Sequence, residues 1–119
     1  MGYYIELLDP VTKETLELDD KHNMRGSTYC VGGTKEAYLT ITYNYADHYY
    51  KHIDADKGIR FIYGKTGADS IPVLKRAIEK LGDDVDSNYW ISTEGNAKKA
   101  LLQLLALAKL RPDGVWDGD

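Results

Sequence analysis

Gly64-Lys65-Thr66 has the ending of a phosphate-binding P-loop, in which a lysine and a run of backbone N–H groups cradle phosphate oxygens. The full loop needs a glycine at position 59, where this chain has Ile59, and Gly58 stands one residue too far. The intervening Ile59-Arg60-Phe61-Ile62-Tyr63 is bulky and β-prone where the loop needs slim residues, which argues against an NTPase. A weaker chemistry survives. Lys65, Thr66 and the first N–H groups of a following helix can together bind an anion, with a solvated turn as the plainer alternative.

His48 and His52 stand four apart, a metal-ligand spacing on a helix, but Tyr49 occupies the place of the general base of a metalloprotease motif. His22, with Asp19 and Asp20, adds a third ligand only if the fold brings it near; otherwise the two histidines sit on an exposed polar face, and no metal is expected. The end of the chain carries Asp113, Asp117 and Asp119 without EF-hand spacing, so Trp116 is expected to fold back while the acids stay solvated. No nucleophile sits in a recognisable elbow, and the expectation is a non-enzymatic protein without a cofactor.

Ten residues are Tyr, two are Trp and one is Phe, and a domain filling a core would not choose Tyr so one-sidedly, because a buried hydroxyl needs a partner. Tyr suits surfaces where one end of the ring is dry and the other wet. Three stretches join aromatic faces to neutral hydrogen bonders: Arg25 to Tyr29, Thr42 to Tyr45, and Asn88 to Asn96. Such groups read a flat polar ligand by stacking and directed hydrogen bonds, with Arg or Lys for phosphate. The candidate ligand-binding residues are therefore Arg25, Thr28, Tyr43, Asn44, Tyr45, Arg60, Lys65, Thr66, Trp90 and Asn96. The alternative is turns and caps, with Asn44 ending a strand and Thr93 with Asn96 starting a helix.

The elements that must position these groups follow from pattern. Tyr3–Leu8 and Thr15–Leu18 flank an Asp9-Pro10 turn and predict an N-terminal β-hairpin. Residues 19–26 read as polar and irregular, Ser27–Val31 as a short strand ended by Gly32-Gly33, and Ala37–Tyr43 as a strand. Tyr45–Ile53 predicts a short helix with Tyr45, Tyr49 and Ile53 on one face. Ile59–Tyr63 is a strand or the tail of that helical unit. Asp69 or Ser70 caps a helix with Pro72 in its first turn, Ile71, Leu74, Ile78 and Leu81 on one face, and Gly82 as its stop. An acidic loop follows to Asn88. Thr93 then caps the longest helix, whose stripe of Ala97, Ala100, Leu101, Leu104, Leu105 and Ala108 is widened by Leu102, Ala106, Leu107 and Leu110. A helix so apolar is central. The fold class is α+β: a small antiparallel sheet packed on a buried C-terminal helix, in one domain over residues 1–119.

At 119 residues the chain can bury a core without staples, and 43% hydrophobic against 29% charged residues marks it as folded. A net charge of −4 disfavours a general nucleic-acid binder. The single cysteine, Cys30, excludes an intramolecular disulfide and a cysteine-based zinc cluster. Met1 to Glu6 shows neither a basic leader nor a long apolar run, Tyr3 makes Gly2 a poor myristoylation site, and the expected location is the cytoplasm.

Gly33–Ala37, Ile41–Tyr45, Ile62–Ala68, Glu94–Lys98 and Leu107–Asp119 together resemble small uncharacterised proteins of phages and integrated mobile elements of gut bacteria. That resemblance carries no activity but implies a setting, the host cytoplasm, where short phage accessory proteins counter host defence. The leading expectation is a protein that sequesters a small phosphorylated nucleotide signal. The rival is an inhibitor that masks a host protein through a tyrosine-rich surface. Partners are thus a nucleotide or a host protein, without duplex nucleic acid or membrane, and self-association as a homo-oligomer is compatible with either.

Overall fold

A computed structural model of the chain describes residues 2–22 and 33–119. The expected Ser27–Val31 strand and Cys30 lie outside the described residues. Strand β1 (Gly2–Leu8) is the centre of a three-stranded antiparallel sheet, between β4 (Tyr38–Thr42) and β5 (Val115–Gly118). The register pairs Tyr3 with Ile41, Ile5 with Leu39 and Leu7 with Trp116. Alternation puts Tyr3, Ile5, Leu7, Leu39, Ile41 and Trp116 on one face, and all are buried.

That face closes on three helices: α1 (Ala46–His52), α2 (Gly67–Lys80) and α3 (Glu94–Leu110). Short 3₁₀ turns at Tyr43–Tyr45 and Gly58–Ile62 lead into and out of α1. The α+β architecture on a buried C-terminal helix is thus as the sequence predicts. Leu101, Leu104, Leu107, Ala97, Ala100 and Ala108 of α3 have no exposed surface, and Leu105 has 8%. The apolar stripe is narrower than read, however, because Leu102 (45%) and Leu110 (56%) face outward. The sheet, α1 and α2 pack on α3 and leave Leu102 and Leu110 exposed.

The predicted N-terminal hairpin is only partly formed. Asp9 Oδ1 accepts from the backbone N–H groups of Val11 (2.8 Å) and Thr12 (3.0 Å), and Leu8 bridges Thr15. The returning arm then leaves β1. Residues Glu17–His22, expected to be irregular from Asp19 on, form β2 and pair with β3 (Thr34–Glu36) in a separate two-stranded sheet. The reason is occupancy: both edges of β1 are taken, by β4 and by β5.

Helix α2 also begins earlier than its Ser70 or Asp69 cap would have it. Thr66 is the cap, its Oγ1 accepting from Asp69 N–H at 3.0 Å, and Pro72 lies inside the helix. What extends the helix is the chain's end. Gly67 N–H donates to Gly114 C=O (2.7 Å) and Ala68 N–H to Pro112 C=O (3.1 Å). Trp116 folds back as expected, but as part of a strand, and its Nε1 donates to Ser70 Oγ at 2.7 Å in the core. A Cβ on Gly67 would stand 2.7 Å from the Arg111 carbonyl oxygen, so the close approach requires glycine.

Candidate functional site

Two of the three polar–aromatic stretches meet in space, and they meet by binding one another. Asn44 Nδ2 donates to Trp90 C=O at 2.7 Å, and the Tyr45 hydroxyl donates to Tyr89 C=O. His48 Nε2 lies 3.3 Å from Ser92 C=O, and the Tyr49 hydroxyl donates to Ala97 C=O at 3.0 Å. Asn96, nearly buried, accepts from Asp86 N–H (3.0 Å) and donates to the carbonyls of Asn88 (3.3 Å) and Ile91 (2.9 Å). Side chains of α1 and its entry turn thus hold the backbone of an irregular loop. Tyr45 and Asn96, both expected at a ligand, are committed to this seam. Trp90 remains outward, 46% exposed and tilted against Tyr89 with ring centroids 4.8 Å apart. Arg25 and Thr28 lie outside the described residues.

The expected anion site at the start of α2 is closed. Its first N–H groups are used by Gly114, Pro112 and Thr66, and Thr66 Oγ1 is used as the cap. An anion would have to displace the turn at Pro112 and Gly114 to reach them, and Thr66 Oγ1 is already committed to the cap. Lys65 does face outward, its Nζ 4.7 Å from the centre of the Phe61 ring. Arg60 and Tyr43 belong elsewhere. Arg60 lies over Tyr3, 5.0 Å from the ring centre, and its Nε donates to Asp119 C=O at 2.8 Å. Tyr43 meets Tyr3 edge to face, centroids 4.6 Å apart. Beside them the Tyr63 hydroxyl is buried without a partner; burial first, and then the Asp119 carboxylate, push its pKa far up and keep it neutral.

Lys65 instead shares a cleft with residues that sequence reasoning did not select. His52 and Ile53 at the end of α1, Phe61 and Lys65 after it, and Val73 and Arg76 of α2 line a hollow of about 220 Å³. Among the described residues, neither Lys65 nor Arg76 has an ion-pair partner. His52 Nε2 is out of reach of solvent, makes no hydrogen bond and stands 3.9 Å from Glu94 Oε1. Desolvation lowers the His52 pKa, Lys51 adds to this, and Glu94 opposes it, so the ring is neutral near pH 7. The signal for Arg76 was its place three residues after Val73, on one face of α2. What masked it was exposure, since a lone Arg on an amphipathic helix reads as solvated.

A second hollow of about 280 Å³ lies between the hairpin turn and β5, lined by Leu8, Lys13, Gly64, Val115, Trp116 and Asp117. Lys13, which reads in sequence as a remote turn residue, therefore stands close to the segment that carries Lys65. His48 and His52 point to separate carbonyl and carboxylate partners, and no group of three metal-ligating side chains converges among the described residues. No helix among them is long and apolar enough to cross a membrane. No protein-family model, curated protein or solved structure matches this chain.

Proposed function

We propose that the protein is a non-catalytic binder of a small phosphorylated molecule of the nucleotide class. The observation that carries this reading is the cleft at Lys65 and Arg76, where two cations without acidic partners flank an aromatic ring. Two cations without an ion pair at one concave place can serve an anion together. In the phage setting that the sequence resemblance implies, such binding would sequester a nucleotide signal of the host. Isothermal titration with a panel of linear and cyclic nucleotides tests the reading. Binding of at least one member is expected, and silence across the panel by a folded protein rejects it.

A second reading has its own support in Trp90 and Ile91, neighbours that are each 46% exposed on the loop held by α1. Large apolar side chains on a braced loop are the usual anchors of a protein interface. Capture of a stoichiometric protein partner from host lysate, lost in Trp90→Ala and unaccompanied by nucleotide, would favour it.

A further inference from the structure

The cleft beside α2 carries more positive charge than its surroundings balance. Lys65 and Arg76 stand at its rim, and His52 forms a wall. Of the charged groups acting on His52, Lys51 and His48 of α1 and Lys80 of α2 oppose its protonation, and Glu94 of α3 favours it. Its Nε2 is buried yet unbonded, an arrangement that costs stability unless another state of the site satisfies it.

Size narrows what can enter. A hollow of about 220 Å³ is smaller than the roughly 300–1,000 Å³ of pockets that enclose a whole drug-sized ligand. It has room for a phosphoryl group and is small for a whole nucleotide. Arg76 offers a planar fork of N–H donors and Lys65 a point charge, the pair that proteins use on phosphate oxygens. Ile53, Val73 and Phe61 supply apolar walls, which strengthen the attraction by excluding water. Lys65 already covers the Phe61 ring, so a base has no free face inside the cleft and would lie outside it.

We propose that this cleft binds a single phosphoryl group of a phosphomonoester between Lys65 and Arg76, and that His52 takes up a proton from solvent as the dianion enters. The inference rests on the part of the proposed function that assigns a phosphorylated ligand. In the empty cleft desolvation first, and then Lys51, Lys80 and His48, disfavour imidazolium; a dianion in the cleft opposes those charges, as Glu94 at 3.9 Å from Nε2 already does. By linkage, whatever factor the anion adds to proton affinity the proton adds to anion affinity.

Sulfate is the probe for the coupling, because it stays dianionic while phosphate esters themselves titrate near neutrality. Titration calorimetry of the full chain at low ionic strength, between about pH 5.5 and about pH 7.5, should show sulfate binding roughly 5- to 10-fold tighter at the acid end. His52→Gln should still bind but lose the pH dependence, and His52→Asn serves if that variant fails to fold. Lys65→Ala and Arg76→Ala should each weaken sulfate and phenyl phosphate by roughly 10-fold, with Lys99→Ala on the far helix unchanged. Absence of binding by both probes, wild-type affinity in Lys65→Ala and Arg76→Ala, or pH-independent sulfate binding would overturn the proposal. Its failure is separable from that of the nucleotide reading. If phenyl phosphate binds here and no nucleotide binds anywhere, the cleft stands and nucleotide sequestration falls. If nucleotides bind without regard to Lys65 and Arg76, the reverse holds.

Discussion

Helices α2 and α3 begin with the same device and finish it differently. Thr66 and Thr93 each cap with Oγ1, accepting from Asp69 and Asn96 N–H at 3.0 Å. Around α2 the remaining N–H groups are met by backbone carbonyls of Gly114 and Pro112. Around α3 the work falls to side chains: Asp84 Oδ1 accepts from Gly95 N–H (3.0 Å), Glu94 Oε1 from Gly82 N–H (3.4 Å), and Asn96 holds the loop before it. Both starts demand a slim residue, Gly67 in one and Gly95 in the other, but the one sealed by backbone tolerates side-chain change elsewhere. One sealed by side chains is written in the sequence and is vulnerable to each of them. In both, the positive end of the helix is spent internally, and the anion binding proposed above rests on the side chains of Lys65 and Arg76 instead.

The sharpest test removes what both junctions rest on. Leu104→Ala should cost about 2–5 kcal/mol in urea unfolding by opening a cavity in α3, and a variant that melts like the wild type would show that α3 is peripheral. Next, Asn96→Ala should cost about 1–3 kcal/mol, because Asp86 N–H and the Asn88 and Ile91 carbonyls lose their partner. Gly95→Ala should fall in the same range of about 1–3 kcal/mol, since a Cβ would lie 2.7 Å from Asp84 C and Val85 N; Gly67→Ala, with one such contact at 2.7 Å, should cost less. Thr66→Ala and Thr93→Ala should each lose about 1 kcal/mol by thermal melting. If the α2 cap proved far costlier, its backbone seal would be weaker than the geometry implies.

The smallest effect is on pH. His52 binds protons less readily folded than unfolded, so it contributes stability above its ordinary value of 6.5 that is lost as pH falls below it. His52→Gln should flatten denaturation midpoints across that window. A separate loss near pH 4 and below comes from Asp113, held low by its hydrogen bond to Arg111, and Asp9, held low by the N–H groups of Thr12 and Val11. Their stabilising share is present above the ordinary 3.8 and disappears as pH falls through their lowered values.

What could be read from sequence follows the same division. Thr93, Leu101, Leu104 and Leu105 of α3, and the buried Tyr45 and Tyr49 at α1 are written locally, as caps and periodicity, and they stand where that reading puts them. The true start of α2, the strand at Val115–Gly118 and the departure of Glu17–His22 from β1 depend on partners far along the chain. No local pattern encodes which segment will fill a carbonyl or an edge. The candidate site divides likewise. Lys65 shows itself by its neighbours Gly64 and Thr66, whereas His52 and Arg76 become a site only when α1 and α2 come together. Tyr45, Asn44 and Asn96 look like ligand readers because a seam between two elements uses the same chemistry as a seam with a small molecule.

The placement of β1 has a temporal side. The middle strand of the sheet, β1, leaves the ribosome well before the neighbour that carries Trp116. Until residues 112–118 emerge, one edge of β1 has no pairing strand, the Trp116 slot beside Ser70 is empty, and Gly67 and Ala68 lack their carbonyls. Completing the sheet therefore waits for Val115–Gly118, and pairing them with β1 closes a long loop, a contact that raises the folding barrier and slows that step. During that wait the nascent chain presents an unpaired strand edge, the kind of surface on which chaperones act and aggregation starts.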